Sequence, residues 1–110
     1  MHLNDIAEQA TATAVEKGFH PQIVLDNMGR LEDPLYIATR LALIHSEVSE
    51  ALAEVRTKPL PKDAFAAELA DTIIRIGDLA YIMGIDLDLA VEDKMAYNKT
   101  RAFQHGGRTL

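Results

Sequence analysis

The sequence predicts an all-α fold, an antiparallel bundle of four to five helices completed by oligomerisation, and three observations predict it. Turn-forming residues cut the 110-residue chain into segments whose apolar positions recur three and four apart. No segment holds the strict alternation of a strand. The two longest segments are joined by Thr57-Lys58-Pro59-Leu60-Pro61, a short proline-containing break that sends the chain back along itself.

The first segment covers residues 3–17, with Ile6, Ala10, Ala14 and Val15 near helical spacing and Gly18 as its stop. A short second piece covers residues 21–27, carries Ile23 and Val24, and ends near Gly29. The third opens on Asp33-Pro34, an acidic N-cap followed by proline at the first helical position, and continues to about residue 56. The fourth covers residues 63–83 and stops at Gly84. The fifth begins at Asp86 and reaches about Phe103, and the glycine-containing stretch 103–110 reads as a flexible tail.

A chain of this length is one domain, residues 1–110, and buries roughly 65% of its extended surface on folding. Its 48% apolar and 25% charged content is that of a globular protein, and no stretch approaches the roughly 18 apolar residues of a membrane span. A net charge of −6 disfavours a nucleic acid polymer as partner, because that affinity comes from Lys and Arg neutralising phosphates. The absence of cysteine and of a basic-then-apolar start leads us to expect a cytoplasmic protein with no membrane association.

At about 100° per residue, Ile37, Leu41, Ile44, Val48, Leu52 and Val55 form one stripe of the third segment. Glu47, Glu50 and Glu54 form a second stripe about 110° away. In the fourth segment Phe65, Leu69, Ile73, Ile76, Ala80 and Met83 make the apolar stripe, with Glu68, Asp71 and Asp78 on its border. The expectation is that the apolar stripes form the core and the acidic borders meet. The back of the fourth segment, at Ala70, Ile74, Gly77 and Tyr81, is also largely apolar, so this helix is expected to be covered on two sides and the chain to form a homo-oligomer.

Glu47/Glu50 and Glu68/Asp71 are each three apart, so both members of a pair point the same way. Four carboxylates aimed into one space repel unless a cation neutralises them, and an all-oxygen set suits Mg²⁺. The competing readings are a solvated helix face and a salt-bridge network through Arg40 and Arg75, which lie on or near the same stripes. On the fifth segment Lys94, Asn98 and Arg101 cluster within about 60°, with Tyr97 further round, a set able to hold phosphate and sugar oxygens. Basic side chains late in a helix also simply favour the negative end of its dipole. His45 points away from Glu47 and reads as a surface residue, and His20, beside Phe19, reads as a loop histidine or a contact for a base.

Glu47-Val48-Ser49-Glu50, then Glu68-Leu69-Ala70-Asp71, then the helix bearing Lys94, Asn98 and Arg101, resembles the MazG-like family of all-α nucleoside triphosphate pyrophosphohydrolases. The likeness runs from about Leu41 to Arg101. It implies Mg²⁺, with Mn²⁺ as a substitute, held by Glu47, Glu50, Glu68 and Asp71. It also implies hydrolysis of a (deoxy)nucleoside triphosphate to monophosphate and pyrophosphate, and assembly as a homodimer or homotetramer. Glu50, central in the motif, is the expected base for the attacking water. Lys94, Asn98, Arg101 and Tyr97 are the expected substrate contacts. Two alternatives stay open at this point, a phosphoribosyl-ATP pyrophosphohydrolase and a non-catalytic nucleotide-binding dimerisation module. A carboxylate-bridged di-iron protein lacks its Glu-x-x-His, since Ala53 and Ile74 stand three beyond Glu50 and Asp71.

Overall fold

The computed structural model describes residues 2–101, so the expectation of a flexible tail over 103–110 lies outside the described residues. Five helices follow in order: α1 (Leu3–Glu16), α2 (Gln22–Asp26), α3 (Pro34–Glu54), α4 (Lys62–Met83) and α5 (Leu87–Thr100), and no strand occurs among the described residues. The Asp33 side chain accepts hydrogen bonds from the N–H groups of Leu35 and Tyr36, both at 3.0 Å, and Pro34 takes the first helical position. Helix α4 ends on Gly84 at φ +74°, and a β-carbon there would collide with the carbonyl oxygen of Gly29.

Helices α1 and α5 cap each other. His2 contributes no side-chain cap to α1. Instead Asp88 accepts from the N–H groups of Leu3 (2.8 Å) and Asn4 (3.3 Å). In return the Asn4 side chain accepts from the N–H groups of Leu87 (2.9 Å) and Asp88 (3.3 Å) and donates to Asp86 (2.9 Å). Donors orphaned at two helix starts are thus satisfied by residues more than eighty positions away in the chain.

Helix α4 packs against α1 and against α3, but of the back face expected to be covered only Gly77 is buried, with Ala70, Ile74 and Tyr81 exposed. The α1–α4 crossing is close because Gly77 has no side chain: a β-carbon would come within 3.1 Å of the Cα of Ala7. Against α3, the partners run in opposite order, Arg40 with Asp78, Glu47 with Arg75, and Glu50 near Glu68, which is the register of an antiparallel pair. Val24, Leu31 and Ile82 form a small core at the end of α4, tied by the Leu31 N–H to the Ile82 carbonyl at 3.1 Å.

One expectation is corrected. The apolar stripe of α3 does not form the core of the chain: Val48 is 52% and Leu52 62% exposed, and Leu41 and Val55 are exposed as well. On α4, Leu69, Ile73 and Ile76 are likewise exposed. The buried positions of α3 are Glu47 and Ala51. A stripe this wide needs more than one neighbour, and among the described residues the long helix packed on α3 is α4, while α5 packs on α1.

Candidate functional site

Three of the four predicted metal ligands converge. Glu47 and Glu50 on α3 and Glu68 on α4 each offer an oxygen within 4.8 Å of the others. The helical repeat and the antiparallel register place them there, since residues three apart on α3 face the start of α4. Glu47 is buried, Glu68 half-buried and Glu50 exposed, so the trio forms a floor that opens outward. Asp71 does not join the trio. It is exposed one turn further along α4 and lines the neighbouring cavity.

The electrostatics of the trio are unresolved by its own neighbours. A hydrogen bond shared with Glu50 holds the Glu68 carboxyl up to about 7, with burial, a bond to Glu47 and repulsion from both carboxylates adding to the rise. Glu68 Oε2 is buried and has no hydrogen-bond partner among the described residues. One cation, Arg75, answers part of the charge by donating from Nε to Glu47 Oε1 at 2.8 Å. The residues fit a hard divalent ion: the donors are all carboxylate oxygens, one of them lacks any donor facing it, and Glu47 is oriented by an outer hydrogen bond.

Beside the trio, a cavity of about 660 Å³ lies between α1, α3 and α4. Glu47 belongs to both, so the cavity and the trio are continuous. Ile6, Ala10, Leu43 and Ile74 supply apolar lining, and Phe19, 68% exposed, also lines it. Arg40 and Asp78 line its polar side at one end, with Glu47, Asp71 and Arg75 toward the trio and Gln9 and Thr13 from α1.

Behind that polar side lies a network of which sequence reasoning anticipated only the arginine, through the competing salt-bridge reading of Arg40 and Arg75. Asp78, buried on α4, accepts from Thr11 Oγ1 at 2.7 Å and from Arg40 at 3.1 Å. His20 Nε2 lies 2.9 Å from Asp78, and its Nδ1 lies 2.7 Å from the Tyr36 hydroxyl. The guanidinium of Arg40 stands over the Tyr36 ring, 5.5 Å from its centroid. His20 sits in the loop between α1 and α2, as expected, but its side chain is wholly buried. Its partner is 58 positions away, and no local pattern announces that pairing. The only signal was the border placement of Arg40 and Asp78 on their two stripes.

The predicted substrate contacts on α5 form a cluster of their own. Lys94 Nζ stands 4.7 Å and the Arg101 guanidinium 5.9 Å from the centroid of the Tyr97 ring, and Asn98 is exposed beside them. Among the described residues no hydrogen bond or ion pair joins Lys94, Asn98 or Arg101 to the trio, because α5 is anchored on α1. His45 is exposed, as expected.

No helix among the described residues is long and apolar enough to cross a membrane. No family model matches the chain, and neither a curated protein nor a solved structure matches it.

Proposed function

We propose that the chain is a Mg²⁺-dependent hydrolase acting on an acid anhydride, converting a (deoxy)nucleoside triphosphate to its monophosphate and pyrophosphate. The observation that carries this reading is the convergence of Glu47, Glu50 and Glu68 around a buried oxygen that has no donor among the described residues. Carboxylates three apart on two facing helices, one of them short of a partner, are a poor structural device and a good cation site. Bound Mg²⁺ would supply charge neutralisation of the phosphate oxygens. Glu47, Glu50 and Glu68 would hold the ion, while Asp71 lines the adjoining cavity. Glu50, the most open of the trio, would orient and deprotonate a water.

Two further observations support parts of the reading. The continuous cavity gives the organic part of the substrate a place next to its phosphates. The exposed stripes of α3 and α4 support assembly of two or four copies through that face, which would also be the route by which the Lys94, Asn98, Arg101 and Tyr97 cluster reaches a bound triphosphate. Light scattering should then return a mass above that of the 12.1 kDa chain.

The function is tested by incubating the protein with ribo- and deoxyribonucleoside triphosphates, with and without Mg²⁺, and identifying the products. Monophosphate and pyrophosphate, formed only with Mg²⁺, are the expected result. Diphosphate and phosphate would refute the bond assignment, and nucleotide binding without turnover would refute catalysis.

A further inference from the structure

Arg40 is held in a way that a structural ion pair does not require. Asp78 is already satisfied at Oδ1 by Thr11 and lies against His20, and Arg40 reaches its Oδ2 through one nitrogen. A guanidinium carries five N–H donors in a plane. One donor goes to Asp78, and among the described residues the others have no partner. The guanidinium stands over the ring of Tyr36, 5.5 Å from its centroid, and Tyr36 is itself held through its hydroxyl at His20. The side chain is only 16% exposed, yet it lines the 660 Å³ cavity, so the remaining donors are sheltered from bulk water.

The cavity around these donors is otherwise suited to a flat ring. Its apolar lining and the Phe19 ring favour stacking, and its volume is ample for a purine or pyrimidine. Arg40 can only donate. A ring edge that meets it well must therefore show two adjacent acceptors, as guanine does at O6/N7 and cytosine at O2/N3. Edges that alternate donor and acceptor, as in adenine and uracil, leave one donor facing another.

We propose that this cavity takes the base of the nucleotide and that Arg40, held by Asp78 and the Tyr36 ring, selects bases presenting two adjacent acceptors. The proposal rests on the nucleotide reading for its ligand class, but not on the metal or on turnover. Asp78, His20 and Tyr36 are positioning residues, and Arg40 is the group that touches the base.

The test is an NMR titration of the metal-free protein with guanosine, cytidine, adenosine and uridine. Guanosine and cytidine should shift the signals of Arg40, Phe19 and Ile74 and bind about fivefold or more tighter than adenosine and uridine, the discrimination expected of one bidentate pair. The tighter of the first two names the base. Arg40→Lys keeps the positive charge beside Asp78 but loses the planar fork, so it should fold normally and bind all four nucleosides alike. Arg40→Met checks the same loss without the charge. Equal binding of the four by the unaltered protein, shifts confined to other surfaces, or an unchanged preference in Arg40→Lys would each overturn the proposal. A protein that shows the predicted preference but hydrolyses no triphosphate would refute catalysis and leave the base site standing.

Discussion

The α3–α4 pair carries two polar clusters about three turns apart along α4, and they are built on opposite terms. Around Asp78, one carboxylate collects Thr11, His20 and Arg40, and every charge has a partner. Around Glu68, three carboxylates face one another, and among the described residues one buried oxygen has no donor and a single arginine answers Glu47. A satisfied cluster holds geometry, because each member would be costly to expose alone. An unsatisfied one costs stability and is retained only if something outside the chain completes it.

The comparison is broken most forcefully at Asp78. Asp78→Ala orphans Arg40, Thr11 and His20 together, and removing one partner of a buried charged network costs about 3–5 kcal/mol. Chemical denaturation should show a loss of that order. Glu68→Gln should act in the opposite direction: the amide supplies donors to Glu50 and Glu47 where two carboxylates met a third, so the metal-free protein should melt higher than its parent at pH 8.

The pH dependence of the metal-free protein sharpens the same contrast. Glu68 ionises near 4.5 when unfolded and near 7 when folded. Between those values the unfolded chain has given up a proton that the folded chain keeps, so stability falls as pH rises and the loss is complete above about 7. Melting curves from pH 4.5 to 8 should show this decline, and Glu68→Gln should flatten it. The smallest effect belongs to Thr11→Val. It removes one of several hydrogen bonds to Asp78 without removing a charge, and should cost about 1–2 kcal/mol in the same denaturation experiment.

The two clusters also differ in how far they could be read in the sequence. Glu47, Glu50 and Glu68 were legible because a helix makes residues three apart neighbours, and a short turn makes two helices antiparallel. The start of α3 at Asp33-Pro34 and the end of α4 at Gly84 were legible for the same local reason. The Asp78 network was not, because it joins α1, a loop, α3 and α4 through contacts that no periodicity encodes. The reciprocal capping of Asn4 and Asp88 was hidden in the same way. The apolar stripes did not mark the buried faces, since α3 buries Glu47 and Ala51 instead, and a wheel gives the direction of a face and not what covers it. Leu52 and Ile73 therefore stand exposed where a core was expected.

The most direct measurement of the metal reading is the thermal response of the metal-free protein to Mg²⁺ at pH 8, with Glu68→Gln beside it. An ion that binds only the folded site raises the melting temperature in proportion to the logarithm of its excess over Kd. The unaltered protein should melt progressively higher as Mg²⁺ is added, and Glu68→Gln should start higher and stay unmoved. A parent indifferent to Mg²⁺, or a Glu68→Gln variant that climbs with it, would contradict the assignment of the three glutamates as a cation site.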